Sequence, residues 1–211
     1  MSDPSLPLLN PGEIDGERTP AAVHGVVLAA GTSSRYGPEN KLLEPIDGEP
    51  LVRHAARALV ASQVEAVTVI IGHEADRVRR TVAELPLSIR ENPDYETGQS
   101  TSVCEGVRAA AAAGADAAVI ALGDMPDVSP TTVDTLVAGY ERGAGTAIAP
   151  AYDGQRGNPV LFDHRFFDAL ADVSGDTGGR EILRSAADAT LIEVDDPGVA
   201  RDVDTPADLD E

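Results

Sequence analysis

The chain has 211 residues, 42% of them apolar, which is material for one domain with a sizeable core. Its 36 acidic against 16 basic residues leave a formal net charge of −20, a field that repels nucleic acid and anionic membranes and so excludes both as partners. A single cysteine, Cys104, excludes an internal disulfide and a thiolate zinc cluster, and no apolar run approaches the ~20 residues that span a bilayer.

Met1 to about Ala22 carries Pro4, Pro7, Pro11 and Pro20 with little apolar periodicity and is expected to be a disordered tail, leaving 23–211 as the folded domain. Val23 to Ala30, apolar apart from His24 and Gly25, is expected to be a strand covered on both faces. It runs into a loop of small side chains from Ala29 to Ser34, whose backbone N–H groups can approach an anion closely. Arg35 and Lys41 stand beside it. Of the 16 basic residues 15 are arginine, so Lys41 is the sole lysine, kept where an anion site is expected.

Downstream, Pro50 opens a helix running to about Gln63, and Ala66–Ile71 reads as a second buried strand ended by Gly72-His73. A charged helix over Glu74–Leu85 and a short strand over Leu87–Ile89 follow. Ser100-Thr101-Ser102 offers capping oxygens for a helix to Ala113, with Gly114 as its stop. Ala117–Leu122 is the fourth strand, broken by Gly123-Asp124-Met125-Pro126; Ser129-Pro130 caps the next helix, and Thr146–Pro150 is a fifth strand. The repeating β-α-β unit predicts a doubly wound, mostly parallel sheet in three α/β/α layers, with ligands at the carboxyl ends of the strands. Beyond Pro150 the expected elements are a turn at Gln155–Pro159 into an apolar strand, helices over Asp163–Val173 and Gly179–Ala187, a strand over Leu191–Val194, and a last helix starting near Thr205.

Asp124, at the end of a buried strand, reads equally as a hard-oxygen metal ligand or as an Asx turn before Pro126. Asp204 reads as a second ligand or as a helix cap before Pro206. Gly98 to Ser102 precedes a helix whose positive end suits phosphate or base, as it also suits plain capping.

Leu28-Ala29-Ala30-Gly31-Thr32-Ser33-Ser34-Arg35-Tyr36-Gly37 with Lys41 resembles the L-A-A-G-x-S-x-R-x-G…K signature of nucleotidyltransferases, nearest the MobA-like group that includes molybdenum cofactor cytidylyl- and guanylyltransferases. The resemblance continues in order through Gly98–Ser102, Gly123-Asp124-Met125-Pro126, Arg156-Gly157-Asn158-Pro159, Gly175–Arg180 and Asp202-Val203-Asp204-Thr205-Pro206. It implies a Rossmann-like nucleotidyltransferase with Mg²⁺ as cofactor. Leu28, Ala29, Ala30, Gly31, Thr32, Ser33, Gly98, Ser100 and Ser102 would line the nucleotide site, and Arg35, Lys41 and Asp124 would be catalytic. Asp124 and Asp204 would hold the metal, with Asp202 in reserve, while Arg156, Asn158 and Arg180 would meet a phosphorylated acceptor. Ala30, giving L-A-A-G rather than L-A-G-G, points to CTP. The implied product is a cytidylated molybdopterin for a molybdoenzyme recipient; a guanylylated one, a sugar- or alcohol-phosphate acceptor, and a non-catalytic nucleotide carrier are the alternatives. Asn158 departs from the family, where many members have His, and Gly179 replaces an Ala. The start of the chain has no basic-then-apolar leader plan, so a cytoplasmic protein is expected. Scarce lysine, few aromatics and more Asp than Glu resemble proteins of hypersaline cytoplasms, where molar salt screens like charge.

Overall fold

The computed structural model describes residues 6–33, 36–37, 39–175 and 179–209; Arg35 and the middle of the Gly175–Arg180 loop lie outside them. In chain order the strands and helices are β1 (Leu8–Leu9), β2 (Val23–Ala29), β3 (Pro45–Ile46), β4 (Glu49–Pro50), α1 (Leu51–Val60), β5 (Ala66–Ile71), α2 (Ala75–Val82), β6 (Ser88–Glu91), α3 (Gln99–Ala112), β7 (Ala117–Leu122), α4 (Pro130–Glu141), β8 (Ala147–Tyr152), β9 (Gln155–Arg156), β10 (Val160–Asp163), α5 (Phe167–Ala171), α6 (Arg180–Ser185) and β11 (Ala189–Glu193). No helix among the described residues is long and apolar enough to cross a membrane.

The main sheet has the order β1-β11-β8-β10-β7-β2-β5-β6, with β9 paired to β8. Its core strands β7, β2, β5 and β6 are parallel; β10 reverses direction between β7 and β8, and the short β9 is likewise antiparallel to β8. Strand alternation sends side chains to two separate cores. Val23, Val27 and Ala29 of β2, with Val67, Val69 and Ile71 of β5, face the layer of α1, α2 and α4. Val26 and Leu28, with Ile70 and Ile120, face α3, α5 and α6. This is the Rossmann-like, three-layer fold expected of the β-α-β pattern. At 10 residues, α1 is too short to persist alone, so the burial of Leu51, Val52, Ala55 and Leu59 holds it in place.

Three expectations need correcting here. Residues 6–22 are not a free tail. Leu8 and Leu9 extend the sheet in parallel with Leu191 and Ile192, Ile14 is buried, and Arg18 pairs with the buried Glu141 at 2.6 Å. The prolines suppress periodicity without preventing docking: Pro11 occupies the first turn of a short 3₁₀ helix, where its missing N–H costs nothing. The helix expected to start near Thr205 is a single 3₁₀ turn, Pro206–Leu209, and the Asp163–Val173 helix is a 3₁₀ turn, His164–Phe166, continuing into α5.

Candidate active site

The sheet order sets the place. From β2 the chain moves to β5 and β6 on one side, then returns to β7 on the other, so a crevice opens beyond the carboxyl ends of β2 and β7. Leu28 and Leu122 are paired across that boundary. The chain leaving β2 supplies Ala30 to Ser33; the chain leaving β7 supplies Gly123 and Asp124.

Ser33 organises the first loop. Its backbone is left-handed, at φ 54°, and its carbonyl accepts from the Tyr36 N–H at 2.9 Å. Its Oγ accepts from the Lys41 N–H at 3.2 Å, which ties the loop to the sole lysine. Asn40 caps the 3₁₀ turn Lys41–Leu43 by accepting from the Leu42 N–H at 3.1 Å. Lys41 is thereby fixed at its base. A Cβ at Gly31 would meet no protein atom within 4 Å, so its backbone faces open cleft.

The ammonium of Lys41 lies 2.7 Å from Asp124 Oδ2 and 3.0 Å from Asp204 Oδ1. Burial works against its charge, but the two carboxylates outweigh that and hold its pKa above the ordinary lysine value. Asp202 joins Asp124 and Asp204 in a cluster whose ligand oxygens all lie within 4.8 Å of one another. Withdrawal of its carboxyl from solvent, then the like charges of Asp124 and Asp204, raise its pKa, although the residue as a whole is exposed. Asp124 Oδ1 is buried with no hydrogen-bond partner. A buried carboxylate oxygen left over beside two further carboxylates is a hard-donor set that fits a divalent cation.

A cleft of about 370 Å³ runs from these groups along the Ala30–Ser33 loop to the start of α3. Leu28, Ala30, Gly31, Thr32, Ser33, Lys41, Gly98, Ser102 and Asp124 all line it. Ala29 and Ser100 do not. Ala29 points to the opposite face of the sheet, as alternation from Leu28 demands, and packs in the core with Leu42. Ser100 is buried inside α3, and its N–H donates to the Gly175 carbonyl at 3.1 Å. The expected capping serines are in fact helical; the N-cap is Gly98, whose φ of 129° favours a residue without Cβ. Ser102 is held by the buried Asn92, whose Nδ2 donates to its Oγ at 3.0 Å and to Thr101 Oγ1 at 2.9 Å.

Arg156, Asn158 and Arg180, from β9, the following turn and the first residue of α6, meet around a second cavity of about 200 Å³. It adjoins the cleft through Leu28, Gln99 and Leu122. Its floor is apolar: Val103, Ile120, Val160, Phe162 and Leu183.

Sequence reasoning held Asp202 in reserve and missed Tyr95, which lines the cleft 6.1 Å from the His73 ring. With aromatics only 3% of the chain, an isolated tyrosine between Asn92-Pro93 and Gly98 was a signal that could have been used. It also missed Asp208, whose Oδ2 accepts from the N–H groups of Asp204 at 3.0 Å and Thr205 at 2.7 Å and so shapes the turn that carries Asp204.

Comparison with known proteins shows the family and the fold. Residues 25–190 match the family described as the MobA-like NTP transferase domain. Over its full domain the chain is similar to nicotine blue oxidoreductase of Paenarthrobacter nicotinovorans, at 33% identity over 197 residues covering 90% of this chain and 96% of that protein. The purine catabolism protein PucB of Bacillus subtilis is 32% identical over 196 residues, covering 88% and 93%. Among solved structures, Rv0371c from Mycobacterium tuberculosis in complex with manganese superposes with a TM-score of 0.72 at 26% identity, covering 89% of this chain and 95% of that one.

Proposed function

The chain belongs to the MobA-like NTP transferase family and is a nucleotidyltransferase, and from that premise we propose that it transfers a cytidylyl group from CTP to molybdopterin, with Mg²⁺ as the metal and pyrophosphate as the second product. The observation that carries this reading is the meeting of Lys41, Asp124 and Asp204 at the mouth of the Ala30–Ser33 cleft.

The reaction is an in-line displacement. An oxygen of the acceptor phosphate forms a bond to the α-phosphorus, the bond from that phosphorus to the bridging oxygen breaks, and pyrophosphate leaves with the electron pair. The nucleophile is already anionic, so no general base is required, and the burden falls on positioning and charge. Backbone N–H groups of the Gly31 loop and the α3 start would cradle phosphate oxygens. Lys41 would oppose the charge of the leaving group. Asp124, Asp204 and Asp202 would hold the divalent ion, which when bound neutralises triphosphate charge.

The acceptor half of the reading rests on the second cavity. A polyhydroxylated sugar would have to bury hydroxyls against Val103, Ile120, Val160, Phe162 and Leu183, none of which can bond to them. A flat ring system suits such a floor, and Arg156 and Arg180 in its lining are of the type that binds phosphate. Ala30, as in the L-A-A-G members of the family, supports CTP over GTP.

The test is pyrophosphate release with each of the four nucleoside triphosphates against molybdopterin and several sugar phosphates. Turnover confined to CTP with molybdopterin is expected. Preference for GTP or for a sugar phosphate would replace the substrate assignment, and nucleotide binding without turnover on any acceptor would favour a carrier.

A further inference from the structure

The segment from Asp196 to Asp204 brings two of the three clustered carboxylates to the site, yet Asp202 and Asp204 lie in no helix or strand. Some contact must set its register against the loop that bears Asp124. Three are made near the site. The Val203 N–H donates to the Asp124 carbonyl at 3.0 Å, Arg201 Nη1 pairs with Asp127 Oδ2 at 3.1 Å, and Gly198 lies so close to Asp127 that a Cβ there would fall 2.4 Å from its carbonyl oxygen.

The segment's far end is fastened by Asp196. This residue is 8% exposed, and no cation pairs with its carboxylate among the described residues. Its Oδ2 accepts from the Ser129 N–H at 2.9 Å and from Thr132 Oγ1 at 2.5 Å, both at the start of α4. Its Oδ1 accepts from the Gly198 N–H at 3.0 Å. Helix capping alone does not account for it, because Ser129 already caps α4 through the Thr131 N–H. A carboxylate buried without a cation is costly unless its lone pairs are satisfied, and here they are satisfied by the two elements that have to be aligned.

We propose that Asp196 is a positioning residue for the metal site: it pins the Gly198 turn to the start of α4 and so fixes the register in which Asp204 and Asp202 reach Asp124. This rests on the metal reading given above. In Asp196→Asn one oxygen becomes a donor, so either the Gly198 side or the α4 side must be lost. Asp196→Ala loses both, and Thr132→Val loses only one bond.

The test is Mn²⁺ binding to the full-length protein, read as free Mn²⁺ by electron paramagnetic resonance at a temperature where circular dichroism shows each variant folded. Mn²⁺ dissociation constants are expected to rise roughly tenfold or more in Asp196→Ala, less in Asp196→Asn and about twofold to fivefold in Thr132→Val, with Thr132→Ser restoring wild-type binding. In turnover, excess metal should recover kcat while the KM for CTP stays unchanged. Lowered thermal stability with unaltered Mn²⁺ affinity would overturn the proposal and leave Asp196 purely structural. If Asp196→Ala does not fold, Thr132→Val decides by the same criterion. Absence of Mn²⁺ binding by the wild type would instead remove the metal reading, and the positioning role with it.

Discussion

The two adjoining cavities share Leu28, Gln99 and Leu122 but are made of opposite materials. The cleft is built from backbone and charge: a loop of small residues, one lysine and the carboxylate of Asp124 just beyond the end of β7. The neighbouring cavity is built from side chains, with an aliphatic and aromatic floor and arginines at its edge. A triphosphate presents the same oxygens whatever base it carries, so a backbone cradle suits it. An acceptor is distinguished by its body, and shape then has to come from side chains.

The difference can be broken most severely at Asp124. Asp124→Ala should lower kcat by about 10²–10³-fold, the scale of losing a preorganised electrostatic group, while leaving the fold intact because the side chain sits just beyond a strand end. Retained turnover in steady-state pyrophosphate assays would remove this residue from the reaction. The opposite dissociation is expected at Leu183, fully buried between cavity and core. Leu183→Ala should destabilise by about 2–5 kcal/mol in urea titrations and raise the KM for acceptor, with the KM for CTP unmoved. An equal rise in both would mean that the two cavities act as one.

A smaller effect separates site from scaffold. His24 is buried near the amino end of β2, bonded to Thr68 Oγ1 at 2.8 Å, and burial lowers its pKa. Below about pH 6.5 the unfolded chain takes up a proton that the folded one resists, so stability present above that pH should decline as pH falls, by at most ~1.4 kcal/mol per unit. Urea midpoints between pH 7 and 5 measure it. His24→Gln should flatten the slope, and an unchanged slope in that variant would assign the pH dependence elsewhere.

Much of the fold was legible because burial leaves a plain mark on sequence. Ala66–Ile71 and Ala117–Leu122 are strands at the bounds expected, since a six-residue run that is apolar throughout, or but for Thr68 in the first, between polar or glycine breaks fits little else. The site was legible where chemistry follows strand ends, at Gly31 and Asp124. What escaped is whatever depends on partners distant in sequence. Residues 6–22 dock through Arg18 on Glu141 and Ile14 in the core, contacts more than a hundred residues apart that no local pattern encodes. Ser100-Thr101-Ser102 carries the signature of a cap, yet the helix starts earlier because Gly98 can take a backbone angle that a residue with a Cβ resists. Direction is equally hidden: the apolar run of β10 reads the same whether the strand runs up or down.

That reversal of β10 matters for what the protein can become. Because it runs against β7, with Val160 opposite Ile120, its beginning, rather than its end, lies at the edge where β2 and β7 finish. The turn holding Arg156 and Asn158 is therefore a connection between two antiparallel strands, anchored on both sides and separate from the loops that follow β2 and β7. Its backbone is held close to Val199 at Gly157 and Asn158, which fixes its length, while the side chains it turns to the second cavity can change without altering the Ala30–Ser33 loop; on the function proposed above, a lineage could then exchange one acceptor for another and keep its nucleotide half.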